Sequence, residues 1–280
     1  MKKITVSSPT YEKGASFEAM HVCRPVTSPA AQTSRCTEIL GRGSVSSSFD
    51  PILSKVLRDL SPTEDGAHAG SSRFSIGAFV AEELGRLRDS EVPRYLFHRY
   101  CYDIHPQERT LRRFPPYVQI EPTSECNFRC VFCYQTDNTF SAKDSSHMGS
   151  MTLDTFKAVV DQIEGEVEFV SLASRGEPLM CRELPGMLAY ASGKFLGLKV
   201  NTNASILTED RCHALLSNGV GTLVFSADAA EEPLYSQLRV NGKLDRVLRN
   251  IERFERIRQD RKSTRLNSSH EWISRMPSSA

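Results

Sequence analysis

The sequence predicts an α/β protein built on a parallel sheet. Two observations carry this: beyond Pro116 short apolar runs alternate with amphipathic helical stretches, and capping residues such as Thr152 and the Asn218-Gly219 pair punctuate that alternation. A strand followed by its own helix, repeated, is the pattern of βα units feeding a parallel sheet. The chain has 280 residues and is 39% hydrophobic, enough for one large domain or two modest ones with a real core. A net charge of +1 on 35 basic and 34 acidic residues creates no long-range field. Nucleic acid and anionic membrane surfaces are therefore not expected partners, and small molecules or protein segments are. Only Ile4-Thr5-Val6 separates Met1-Lys2-Lys3 from Ser7-Ser8-Pro9, too short for a signal peptide, and no later run could span a bilayer. The expected location is cytoplasmic. Eight cysteines in such a chain point to metal or redox chemistry rather than to a disulfide framework.

Residues 1–70 are rich in Ser, Thr, Pro and Gly, and only Ile52–Leu60 has a sustained apolar period, so this segment is expected to be mostly irregular. Cys23 and Cys36 lie in it without a CxxC partner and read as ordinary thiols. Within 71–115, helical spacing recurs over Phe74–Arg88 and again from Val92 to Tyr102, with Pro93 in the first turn of the second stretch. The core is expected over 116–259, with about four βα units. Its first strand is Tyr117–Glu121, followed by a cysteine loop and a helix behind Thr152 whose Phe156, Val159, Val160 and Ile163 share a face. The second strand, Val167–Leu172, leads through Arg175-Gly176-Glu177-Pro178 to a helix with Leu184, Met187, Leu188 and Ala191 inward. The third strand, Leu198–Asn201, precedes a helix opening at Thr208, with Glu209 and Asp210 suiting its positive end. Cys212 falls on the apolar face of that helix and reads as core. The fourth strand, Thr222–Ser226, precedes the helix Leu244–Gln259, with Val247, Leu248, Ile251 and Phe254 inward and a row of arginines on a solvated face.

The chemistry lies in Cys126-Asn127-Phe128-Arg129-Cys130-Val131-Phe132-Cys133. Three thiols on one loop, directly after a strand, sit where parallel α/β sheets present ligands. A structural zinc site takes four protein ligands, whereas a four-iron cluster held by three cysteines keeps one iron open to another ligand. Zinc completed by His147, Cys181 or Cys101 is the alternative, and none of them stands at the usual finger spacing.

This loop, CxxxCxxC with Phe132 before the last cysteine, resembles the defining motif of the radical S-adenosylmethionine (SAM) superfamily. Further segments follow in family order: Gly176-Glu177-Pro178 resembles part of GGEP, Asn201-Thr202-Asn203 resembles NTN, and Ser226-Ala227-Asp228 resembles SxD. Tyr235 to Arg239, with Asn241-Gly242, resembles a YxxxR stretch. The resemblance covers residues 117–259 and is similar to the branch whose members often carry C-terminal auxiliary-cluster domains. It implies an incomplete (β/α)6 partial TIM barrel whose fifth strand is missing, with the site at the C-terminal ends of the strands. It also implies a [4Fe-4S] cluster on Cys126, Cys130 and Cys133, with SAM bound near Phe132, Gly176, Glu177, Asn203, Ser226 and Arg239. Glu177 would meet the SAM ammonium, Ser226 its ribose or carboxylate end, and Arg239 its carboxylate. The implied reaction is reductive cleavage of SAM to a 5′-deoxyadenosyl radical that abstracts hydrogen from a peptide or small metabolite, with flavodoxin or ferredoxin as electron donor.

Plainer roles remain for some of these residues: Asn201 and Asn203 capping a strand end, and Arg239 bridging helices. Arg175, Ala204 and Ala229 replace glycines usual in the family, and alanine fits poorly where φ is positive. The rival function is an iron–sulfur or zinc binding or electron-transfer module that does not cleave SAM. It accounts for the three cysteines but not for the ordered segments after successive strands.

Residues 260–280, beginning Asp260-Arg261-Lys262-Ser263-Thr264-Arg265-Leu266-Asn267, resemble the conceptual translation of a common short-read sequencing adapter. The expectation is a natural reading frame cut near Gln259, and residues 260–280 are left out of the fold reasoning as an adapter-derived tail.

Overall fold

The computed structural model describes residues 28–42, 50–61, 74–142, 146–260 and 267–269. The chain divides into two compact units, 1–93 and 94–280. Cys23 lies outside the described residues.

The first unit corrects the expectation of irregular chain over residues 1–70. Helix α1 runs Pro29–Gly41, opened by Ser28, whose hydroxyl accepts from Ala31 N, and by Pro29 in the first turn. Its buried face is Gln32, Cys36 and Leu40, spaced four apart. One glutamine and one cysteine among them leave too weak a hydrophobic period to stand out in the sequence. Helix α2 runs Asp50–Leu60 and buries Leu53, Val56 and Leu60. Helix α3 is shorter than predicted, Ala78–Leu84 between Gly77 and Gly85, while Phe74 and Ile76 are buried in non-helical chain. Arg35 of α1 donates to Leu84 O and Leu87 O, both at 2.8 Å, and pairs with Asp89, answering carbonyls at the end of α3.

In the second unit, helix α4 (Val92–Asp103, its first two residues in the first unit) lies against the start of the sheet. Arg94 holds the buried Glu168 through two bonds of 2.8 and 2.5 Å, and His98 stacks on Phe169 at 4.1 Å between ring centres. The strands are β1 (Tyr117–Ile120), β3 (Phe169–Leu172), β4 (Gly197–Thr202) and β5 (Thr222–Phe225), parallel and in the order β1-β3-β4-β5. Between β1 and β3 stand β2 (Arg129–Cys130), the short α5 (Asn138–Ser141) and α6 (Leu153–Ile163). After β3 comes α7 (Leu184–Ala191), and after β4 comes α8 (Glu209–Ser217). After β5 come α9 (Leu234–Leu238), β6 (Arg239–Val240) and α10 (Leu244–Asp260). In register, Ile120 faces Leu172, Leu172 faces Val200 and Val200 faces Leu223, a row that joins Phe156, Met187, Leu215, Cys212 and Phe254 in one core. Gly197 has a steric reason: a Cβ there would lie 2.4 Å from the Phe169 ring.

Within residues 260–280, only Asp260 and 267–269 are among the described residues. The backbone of Asn267–Ser269 forms β7, a fifth parallel strand beside β5, with Leu223 opposite Ser268. The outer edge of β5 presents backbone donors and acceptors that any extended segment can pair, whatever its side chains. Composition is blind to such pairing. Among the described residues, no helix is long and apolar enough to cross a membrane.

Candidate functional site

The C-terminal ends of β1, β3, β4 and β5 carry, in turn, the cysteine loop, Ser174–Glu177, Asn203–Ser205 and Ser226–Asp228. Within the loop, β2 pairs antiparallel with β6, so that Arg129 faces Val240 and Cys130 faces Arg239. Val131 N donates to Leu238 O at 2.9 Å and extends this small ribbon. Cys130 is buried, and Cys126 and Cys133 are half-buried. Burial pushes the Cys126 and Cys130 thiols up, Cys130 to about 11, with the Arg239 guanidinium pulling Cys130 the other way. The candidates for a completed zinc site have other neighbours: Cys181 is in the hydrophobic core, Cys101 lies 3.5 Å from Arg112, and the His147 ring packs on Phe140. Among the described residues, no three His, Cys, Asp or Glu side chains converge as around a single metal ion.

One wall of the site is closed by hydrogen bonds. Gly176 passes so near the first loop that a Cβ would lie 1.9 Å from Thr123 O and 2.7 Å from Glu125 O. Only glycine fits there. The next residue clamps the same loop, Glu177 N donating to Glu125 O at 2.8 Å. Its carboxylate turns inward and is 2% exposed. Oε1 accepts from Leu179 N (3.1 Å) and Thr202 Oγ1 (2.6 Å), and Oε2 accepts from Asn203 N (2.7 Å). Asn203 Nδ2 then donates to Asn127 Oδ1 at 3.1 Å and lies 3.9 Å from Cys126 Sγ, while its Oδ1 accepts from Ser205 N and Oγ. Asn250 of α10 completes the wall by donating to Ala204 O and Ser205 O. Glu177 therefore braces two loops, with three protein donors on the carboxylate expected to meet the SAM ammonium.

The replaced glycines resolve differently. Arg175 puts its side chain to use: Nε and Nη2 bond the Glu121 carboxylate at 3.0 and 2.7 Å, and Arg175 N bonds it at 2.7 Å. The unusual backbone falls one residue earlier, at Ser174, with φ 151°. Ala204 does take a positive φ, 58°, whereas Ala229 does not.

The opposite wall is built around Arg239. Its Nη2 lies 2.5 Å from Asp228 Oδ2, an ionic contact without hydrogen-bond geometry. Its Nη1 is 3.9 Å from Cys130 Sγ, and its guanidinium stands 5.8 Å from the centre of the half-exposed Phe132 ring. Arg239 Nε, Asp228 Oδ2, the Tyr235 hydroxyl and Asn201 Oδ1 are all buried without a hydrogen-bond partner in the protein. Ser226 N donates to Thr202 O at 2.8 Å, fixing the fourth loop to the third. Thus the residues expected at the site, Phe132, Gly176, Glu177, Asn203, Ser226 and Arg239, all stand at this end of the sheet. The sequence reading missed Glu121, Asn127, Ser205, Tyr235 and Asn250. Tyr235 was within reach as the first residue of YxxxR, while Asn250 had no signal beyond being a polar residue on the inner face of α10.

These residues suit the group they are expected to hold. Three free thiols on one loop match a cluster held by three cysteines. Unpartnered buried polar atoms on the facing wall match a polar co-substrate. The model of the radical SAM superfamily matches residues 120–266, and the chain belongs to that superfamily. It is similar to Fe-coproporphyrin III synthase of Methanosarcina barkeri, 29% identical over 136 residues, which cover 49% of this chain and 33% of that protein. GTP 3′,8-cyclase 2 of Pseudomonas aeruginosa is 29% identical over 149 residues, covering 51% of this chain and 44% of that one. The chain spans a third to about half the length of these relatives. Among solved structures, SuiB of Streptococcus suis bound to S-adenosylmethionine aligns over 63% of this chain and 40% of that one, at 18% identity and TM-score 0.43. Membership of the superfamily brings with it a [4Fe-4S] cluster and SAM as cofactors.

Proposed function

We propose that the protein is a radical SAM enzyme, in which Cys126, Cys130 and Cys133 hold a [4Fe-4S] cluster. The observation that carries this is the position of the three-cysteine loop, at the C-terminal end of a parallel sheet between two walls built from the following strands' loops. When bound, the cluster and SAM supply reductive cleavage to methionine and a 5′-deoxyadenosyl radical, which takes hydrogen from a peptide or small-metabolite substrate. The chain's own part is to bind, orient and exclude water. Gly176 lets the second loop close on the first, Glu177 sets the position of Asn203, and Phe132 and Ser226 line the space above the sheet. The electron comes from a low-potential donor such as flavodoxin or ferredoxin.

The test is anaerobic reconstitution of the whole chain with iron and sulfide, reduction, and electron paramagnetic resonance with and without SAM, followed by chromatography for 5′-deoxyadenosine. The expected result is a cubane signal that changes on adding SAM, and its absence after Cys130→Ala. A cluster indifferent to SAM, or bound zinc in its place, would overturn this reading in favour of a binding or electron-transfer module.

A further inference from the structure

Arg239 is a buried cation beside the cysteine loop. It is 6% exposed, and its position opposite Cys130 is set by backbone pairing of β2 with β6. Gly242 holds the segment from the other side: Gly242 N donates to Arg239 O at 2.7 Å, and a Cβ at Gly242 would lie 2.7 Å from Arg239 O and 3.0 Å from the Tyr235 ring. The guanidinium is thus enclosed by Cys130 Sγ, the Asp228 carboxylate and the Phe132 ring. A buried arginine with a carboxylate already against it is poorly disposed to give its fork to a second carboxylate. It is well disposed to act on the sulfur beside it.

We propose that Arg239, anchored by Asp228, is a positioning residue that sets the charge environment of Cys130 and so raises the reduction potential of the cluster, and that it is not the ligand of the SAM carboxylate. The inference rests on the cluster reading above. Its physical basis is that adding an electron makes the cluster more negative, so a fixed positive charge and N–H groups facing a ligating sulfur favour the reduced state. Asp228, on the far side of the guanidinium, tempers that charge and fixes its orientation. Tyr235 is fully buried, its ring 3.0 Å from where a Cβ on Gly242 would lie.

The experiment compares wild type, Arg239→Gln, Arg239→Lys and Asp228→Asn as full-length chains. Each is reconstituted and assayed for iron, then titrated by electron paramagnetic resonance without SAM for its midpoint potential and separately for SAM affinity. The expected result is a lower potential in Arg239→Gln, a value near wild type in Arg239→Lys and a higher one in Asp228→Asn. SAM affinity in Arg239→Gln should stay within about twofold of wild type. Unchanged potentials across the set overturn the inference. So does a loss of SAM affinity of about tenfold or more in Arg239→Gln, the outcome for a direct carboxylate contact. If Arg239→Gln takes up no iron, Arg239→Lys and Asp228→Asn decide it by the same criteria. A wild-type chain that takes up no cluster sinks the underlying reading, and the inference with it, so the two failures are told apart by which protein fails.

Discussion

The two walls of the site are finished in different ways. On the Glu177 side nearly every polar group meets another protein group, from Thr123 and Glu125 through Glu177 to Asn203, Ser205 and Asn250. On the Arg239 side Asp228 Oδ2, the Tyr235 hydroxyl and Arg239 Nε are buried without hydrogen bonds in the protein, while Arg239 Nη1 reaches Cys130 Sγ. The first wall is a scaffold that places the loops. The second leaves several polar atoms without a protein partner. The difference shows that a conspicuous acidic motif residue can act by holding backbone, while the groups left to meet a ligand sit in less conspicuous positions.

The comparison breaks most sharply at Gly176. Gly176→Ala would drive a Cβ into two backbone carbonyls that cannot turn aside, and should cost about 3 kcal/mol or more together with cluster loading. Urea unfolding and iron content measure both. Thr202→Val tests the closed wall more gently. Its hydroxyl donates to Glu177 and accepts from Ala204 N, so its loss should cost about 1–3 kcal/mol by leaving buried partners unmet. Tyr235→Phe makes the opposite prediction on the other wall. Removing an unpartnered buried hydroxyl should leave the apoprotein as stable, or more stable by about 1 kcal/mol. A loss like that of Thr202→Val would mean the walls do not differ in the way described. The smallest effect is expected for Ala204→Gly, where relief of the positive φ is offset by loss of a fully buried methyl, a net change within about 1 kcal/mol.

Acid sensitivity should arise elsewhere. Burial, with Arg99 nearby, pushes the His98 imidazole down to about 4, against a bond to the Pro116 backbone that favours its charged form. The folded value lies below the unfolded one, so the unfolded chain binds the extra proton. Stability from this group is present above about pH 6.5 and is lost as pH falls towards about 4. His98→Phe, which keeps the stack on Phe169, should flatten that part of the pH profile in chemical denaturation while leaving the contrast between the walls untouched.

What could be read in advance followed from local physics. Four strands and their helices were visible because period and capping are properties of neighbouring residues, and Phe156, Val160, Leu188 and Phe254 duly form the core. Helix α1 was not, since it buries a glutamine and a cysteine where a periodic signal would need larger apolar residues, whereas α2 lies over the Ile52–Leu60 stretch whose apolar period the sequence does show. The cysteine loop was legible because its three thiols, with the segments that follow in order, resemble the radical SAM pattern. Glycine at 176 was legible as part of a motif, but its reason, two carbonyls from a loop about 50 residues earlier, was not.

By itself the sequence determined the βα alternation, the three-thiol loop and its place after a strand, because these depend on residues close together in the chain. Only the tertiary structure decided which way Glu177 faces, that Arg239 stands opposite Cys130, that Asn250 reaches the third loop, and that residues 267–269 line the edge of β5. Those outcomes depend on strand register and on the packing of segments far apart in sequence. A single shift of register would send the same side chains to the other face.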